Sequence, residues 1–297
     1  VILALAAVSA LPANGAVAAD MRPLKAVAPV YQVPASLVPR SAFYVGAGGS
    51  VNSLGYEEQN IYAQGVSNIF QNGALVASGQ AGGPVTPVLD SKTSFAPMAQ
   101  AGFFQHFGGS QWLWGAKATY SYINARSTQG PLLVPQVGSF TGPTPDTFTG
   151  NVVVSDYQSG IRQQINFIPY VGHSFERSMV YVGVGPSLSQ VKTNLNGVLG
   201  FAAINNTSEN ITGTPSNFGS TQWVLGGAAT IGGTYFIDRD WFIDVNYTFG
   251  ITETKTNNYA APFATATDGY TDRGILSGNY TGRIITQSFA VSINKAF

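Results

Sequence analysis

Ile284-Ile285-Thr286-Gln287-Ser288-Phe289-Ala290-Val291-Ser292-Ile293-Asn294-Lys295-Ala296-Phe297 is the stretch that sets the fold. Taken in twos, Phe297, Ile293, Val291, Phe289 and Ile285 share one face, while Ala296, Asn294, Ser292, Ala290, Ser288 and Thr286 share the other. Side chains alternate across a β-strand, so this is a strand with one oily face and one small, polar face. An oily face packs on a protein core or on lipid, and the rest of the chain decides between them.

Val1 to Ala13 is apolar and leads into Asn14-Gly15-Ala16-Val17-Ala18-Ala19-Asp20. Ala16 and Ala18, or Val17 and Ala19, fall where a signal peptidase reads small residues. Residues 1–19 are expected to be a signal peptide without its charged n-region, cleaved after Ala18 or Ala19. Only 9% of residues are charged, against roughly a quarter in globular proteins. Beyond the signal no run reaches the roughly 18 apolar residues of a membrane helix. The remaining structure that satisfies its own backbone in lipid is a closed barrel. The chain has no cysteine, hence no disulfide or thiol chemistry, and a net charge of zero gives no reason to expect nucleic acid.

Residues 20–41 carry Pro23, Pro29, Pro34 and Pro39 and read as a Pro-rich periplasmic tail. Eight alternating segments follow, near 42–53, 94–107, 111–124, 159–174, 179–190, 221–237, 241–254 and 281–297, each long enough for a tilted strand to cross a bilayer. Their connections alternate in kind. Gly108-Gly109-Ser110, Glu176-Arg177-Ser178 and Asp238-Arg239-Asp240 are tight, whereas 54–93, 125–158, 191–220 and 255–280 are long and rich in Asn, Thr, Gly and Pro. The expected fold is all-β: an eight-stranded antiparallel up-and-down transmembrane β-barrel over 42–297, with short periplasmic turns and four long extracellular loops. In a soluble domain, four structureless loops of this length would count against the assignment.

The segment 241–254 fixes the facing. Trp241, Ile243, Val245, Tyr247, Phe249 and Ile251 alternate with Phe242, Asp244, Asn246, Thr248, Gly250 and Thr252, so the charge lies on the small-polar face and the barrel is oily outside. Trp112, Trp114, Phe175, Trp241 and Phe297 lie near the tight turns, and Tyr120, Tyr122, Phe249 and Ile251 toward the long loops. Together they are expected to form two aromatic girdles.

With the start Ala18-Ala19-Asp20-Met21, the Pro-rich tail, the opening strand Phe43-Tyr44-Val45-Gly46-Ala47-Gly48-Gly49, the layout and Phe297, the chain resembles the small eight-stranded OmpA-like outer-membrane barrels. It looks most like the surface-antigen and porin-family type of alphaproteobacteria. Members commonly have Trp-Thr-Gly before Phe-Tyr-Val-Gly, where this chain has Arg40-Ser41-Ala42, and its loops look long for the family. The resemblance implies the outer membrane of a Gram-negative bacterium, with outer-membrane lipid and lipopolysaccharide and the barrel-assembly machinery as partners. It also implies that Phe289, Val291, Ile293 and Phe297 form the signal this machinery reads; the bland alternative is an ordinary closing strand.

Alternation places Lys117, Arg162 and Asp244 inside, with Gln100, Gln164, Asn166, Asn246, Ser187 and Thr286, and these three charges are the lumen or gate candidates. Gly46, Gly48, Gly183, Gly185, Gly226 and Gly232 keep the wall thin. An eight-stranded interior is about wide enough for side chains to fill, and buried charges are usually paired. A Lys117 to Asp244 contact is expected, with Arg162 higher up beside polar partners; in the alternative the three are solvated at different depths.

Catalysis has one candidate constellation, His173-Ser174 with Glu176, beside His106. Adjacent strand residues diverge, so His173 and Ser174 are not expected to act together. Gly46-Ala47-Gly48-Gly49 precedes no helix pattern, and Asp238-Arg239-Asp240 reads as a solvated turn, so no cofactor or metal site is expected. Tyr56, Tyr62, Phe70, Phe140, Phe148, Phe201, Tyr259, Phe263 and Tyr270 in the long loops suit adhesion to a host or surface partner, or equally pack the loops together. The expected function is a non-enzymatic barrel for envelope integrity and surface display. The alternative is a small diffusion channel for ions or solutes, and a lipid-modifying enzyme is a distant third.

Overall fold

The computed structural model describes residues 36–142, 146–204, 207–267 and 269–297. The expected signal peptide, its cleavage site and the tail up to Ala35 lie outside them. Among the described residues thirteen strands are formed: β1 (Ser41–Gln71), β2 (Ala74–Val85), β3 (Lys92–His106), β4 (Trp112–Ser121), β5 (Ala125–Gln129), β6 (Leu132–Thr141), β7 (Asp146–Ser174), β8 (Ser178–Ile204), β9 (Thr207–Asn210), β10 (Ser216–Phe236), β11 (Trp241–Thr252), β12 (Lys255–Thr267) and β13 (Tyr270–Ala296).

Eight of these close a ring in the order β1-β3-β4-β7-β8-β10-β11-β13, and β13 pairs back onto β1 from Tyr44↔Ala296 to Gln71↔Tyr270. Closure gives every ring strand two neighbours, so no backbone edge faces the apolar surroundings. At one end lie the tight turns, each fixed locally. Phe107 N donates to Trp112 O at 2.9 Å, Phe175 N to Ser178 O at 2.7 Å, and Asp238 Oδ1 accepts from Asp240 N and Trp241 N at 2.8 and 2.7 Å.

At the other end the long connections are largely strand rather than loop. β1 runs on to Gln71 and turns through Asn72 (φ 50°) and Gly73 (φ 81°) into β2. This is the two-residue hairpin that Asn-Gly favours, because both positions need positive φ. β6 and β2 pair, β6 folds back along β7, β5 lies on β7, β9 on β8, and β12 on β13. The ring therefore continues upward as an extension whose interior is apolar: Ile61, Val134, Val152, Val154, Tyr157, Leu195, Val198, Leu276 and Tyr280 form one buried cluster. Below it the outer surface carries the exposed apolar side chains Val180, Val182, Val184, Phe167, Val171, Ile231, Val245 and Phe289.

Candidate functional site

The lumen is built in layers by the inward row of each ring strand. At the turn end Tyr44, Phe104, Leu113, Tyr170, Met179, Tyr181, Phe236 and Phe242 form an apolar plug, joined by Val38 from the segment before β1. Phe236 stacks on Phe242 at 4.8 Å and Tyr44 meets Phe242 edge-on at 5.3 Å.

Above the plug lie the buried charges. Lys117 Nζ is 3.5 Å from Asp244 Oδ2, both nearly sealed from solvent. Tyr181 joins them: its hydroxyl accepts from Lys117 Nζ and donates to Asp244 Oδ1, each at 2.7 Å, and the ammonium sits 4.6 Å from its ring centroid. Gln100 Nε2 donates to Asp244 Oδ2 at 3.2 Å, to Ser292 Oγ at 2.9 Å and to Asn294 Oδ1 at 2.7 Å, while Asn246 Nδ2 donates to Asp244 Oδ2 at 3.0 Å. The carboxylate thus has a cation and three neutral donors, the condition under which a buried charge is tolerable. One layer up, Gln164 Nε2 reaches Ser187, Ser189 and Thr286 at 3.2, 3.1 and 3.4 Å, and Asn166 Nδ2 reaches Thr119 at 3.3 Å. Leu54, Ala96, Ile123, Ala125, Ile161 and Ile284 then fill the lumen beneath the core of the extension.

Arg162 does not join Lys117 and Asp244; its side chain is exposed on the outer face. The cause is a β-bulge. Ile161 pairs with Val191 and Gln163 with Gln190, leaving Arg162 as an extra residue that shifts the phase of β7 by one. Below it Gln164, Asn166, Ile168 and Tyr170 point inward, and above it Tyr157, Ser159 and Ile161 do. Uninterrupted alternation would have put Arg162 inside with Gln164.

Trp112, Trp114 and Trp241 at the turn end, and Tyr120, Tyr122 and Phe249 higher up, all lie outward and exposed. Phe95 and Trp223 are exposed beside the second group and were absent from the sequence assignment. Phe289, Val291, Ile293 and Phe297 form an outward row on and beyond β13.

The histidines separate as expected in part. His173 lies outside against Trp112 and Phe175 (ring centroids 5.2 and 4.9 Å), and Ser174 is buried inside. Yet Ser174 Oγ meets His106 Nε2 at 2.7 Å, while His106 Nδ1 lies 3.0 Å from Arg40 O and Ser174 Oγ 3.2 Å from Gln111 O. The third partner is a backbone carbonyl rather than a carboxylate, and the hydroxyl is shut in, so the pair ties the chain entering β1 to β3 and β7. Sequence reasoning missed it because the partners stand 68 residues apart. It also missed Tyr181, which only alternation along β8 could have placed inside. Of the aromatics assigned to loops, Tyr259 is buried, Tyr56 and Phe263 pack against the extension core, and Tyr270 is exposed; the Phe148 side chain lies outside the description.

No family model matches the chain. It is similar to outer membrane protein P1 of Coxiella burnetii (strain RSA 493 / Nine Mile phase I), 26% identical over 263 residues, 88% of each chain. The chain is an outer-membrane β-barrel. Among solved structures, OprG from Pseudomonas aeruginosa is similar at 11% identity with a TM-score of 0.35, covering 88% of this barrel and 97% of OprG. Ail of Yersinia pestis is similar at 13% identity and a TM-score of 0.24, covering 80% and 98%.

Proposed function

We propose that this barrel is a non-enzymatic envelope protein, closed to solutes, that holds a stiff β-extension at the cell surface. The observation behind this reading is the filled interior, from the aromatic plug through the Lys117-Tyr181-Asp244 network to the apolar core of the extension. An eight-stranded wall leaves about enough room for such packing and little besides. In this reading the tight turns face the periplasm, the outward row Phe289, Val291, Ile293 and Phe297 is what the assembly machinery reads, and exposed positions such as Tyr270 meet a surface partner. Single-channel recording of folded protein in planar bilayers tests it: silence is expected, before and after Lys117→Ala.

A channel is the second reading. Gln100 Oε1, Asn166 Oδ1 and Thr234 Oγ1 are buried in the lumen without a hydrogen-bond partner in the protein, an arrangement that water satisfies. Stable openings altered by Lys117→Ala would select it.

A further inference from the structure

The outer face of the barrel carries a groove of about 320 Å³ whose lining includes Tyr122, Arg126, Gly160, Arg162 and Lys192. Pairing sets it out. Gly160 on β7 is opposite Arg126 on β5 and Lys192 on β8, so a glycine lies between two cations on one cross-strand row. With strands about 4.8 Å apart, the two Cα atoms stand about 10 Å from each other, and Gly160 lets β5 close in on β7: a Cβ there would stand 2.1 Å from Ala125 O and 2.5 Å from Arg126 Cα. The third cation is Arg162, turned outward by the bulge two residues along. Among the described residues, the ion pairs join Lys117 to Asp244 and Arg283 to Glu57 and Glu58, and the groove cations enter none of them. Asp156, four residues along β7 from Gly160, is engaged by the amides of Gln158 and Asn196 at 2.8 Å each.

Height is the second observation. Tyr122, in the upper aromatic girdle, forms part of the lining, so the cations stand where the oily band gives way to the polar extension. The exposed outward row Ile165, Phe167 and Val171 lies directly below on β7. We propose that this groove binds the phosphate groups of an outer-leaflet glycolipid, with Arg126 and Lys192 straddling the phosphate and Arg162 completing the cradle. Two guanidinium forks and an ammonium match a phosphate ester, and the acyl chains of the same molecule cover the apolar wall. The inference rests on the orientation proposed above, with the extension outside.

The test is titration of the full chain, folded in detergent, with bisphosphorylated lipid A, with dephosphorylated lipid A and with inorganic phosphate. The phosphorylated lipid is expected to bind about tenfold more tightly than its dephosphorylated form, with raised salt closing the gap. Arg126→Gln, Arg162→Gln and Lys192→Gln together should abolish that preference, and Lys295→Gln at the turn end should leave it intact. Equal binding of both lipids, preference indifferent to salt in the unmodified protein, or equal loss in Lys295→Gln would overturn the proposal. Displacement of the lipid by inorganic phosphate at matching concentration would overturn the lipid source and assign the groove to a free anion. The lipid comparisons on unmodified protein decide even where the triple variant fails to fold. Orientation is read separately: the chain has no cysteine, so Ala74→Cys should take an impermeant maleimide on intact cells, and failure there would sink the orientation alone.

Discussion

The lower and upper halves of β7 are one strand under two opposite solvent rules. Below the bulge the outward residues are Ile165, Phe167 and Val171 and the inward ones include Gln164 and Asn166; above it Tyr157, Val154 and Val152 point inward and Ser155 faces out. On the odd-numbered row Tyr157 and Ile161 point inward while Ile165, Phe167 and Val171 point outward, and the extra residue Arg162 makes that change; above Asp156 the inward side passes to the even-numbered Val154 and Val152. In lipid, an oily exterior costs nothing and the lumen can hold hydrogen-bonded polar groups. In water the same ring must bury its apolar row to be stable. The extension is thus a soluble-type core stacked on a membrane-type one.

The contrast breaks most sharply at its charged layer. Lys117→Ala leaves Asp244 buried without its cation and should cost about 3–5 kcal/mol, read by urea unfolding from vesicles; a cost below about 1 kcal/mol would mean that water already reaches the pair. Leu195→Ala in the upper core should cost about 2–5 kcal/mol, but locally: protease should cut the extension while the membrane ring still runs as a folded band. If both halves were lost together, they would form one cooperative unit. A double-mutant cycle on Lys117 and Asp244 should return a coupling of about 2 kcal/mol, and zero would leave Tyr181 as the real partner of each. Gly73→Ala, at φ 81°, should destabilise the β1-β2 hairpin by about 1 kcal/mol, visible as faster hydrogen exchange near the tip.

The smallest effect is one of pH. Burial raises the Asp272 carboxyl above its ordinary 3.8, partly offset by the hydrogen bond from Ser67. Below 3.8 the folded and unfolded chains are both protonated and the site costs nothing. As pH rises through the folded value, the stability from holding that proton is lost. Asp272→Asn should therefore match the natural chain in acid and gain on it in exchange protection as the pH climbs; a constant difference at all pH would refute the burial effect.

The membrane half was legible because its period-two pattern, its tight turns and its Trp and Tyr positions all follow from the bilayer. Lys117 and Asp244 could be placed inside by counting along β4 and β11, since no bulge intervenes in the pairing of either strand. The extension was illegible for the reason just given: its alternation continues with the meaning of the faces reversed, so apolar residues such as Val152 and Leu195 looked like loop. Asn72-Gly73 was the local hairpin signal that marked strands there. Arg162 was misplaced because a bulge leaves no mark in residue type, and the His106-Ser174 tie depends on stagger between strands, which no single segment encodes.

The bulge has a consequence for how this chain can change over evolutionary time. Between Arg162 and the turn at Phe175, an insertion or deletion of a single residue turns β7 inside out on one side of the change, so viable length variation there comes in twos. Removing Arg162 itself is the exception, because it closes the bulge and leaves Ile161 and Gln164 facing inward as before. Beyond Gln71 or Tyr270, at the hairpin tips, residues are free to come and go. Related chains should therefore differ in length at the summit of the extension and agree in parity along the wall, a pattern that an alignment can check without any structure.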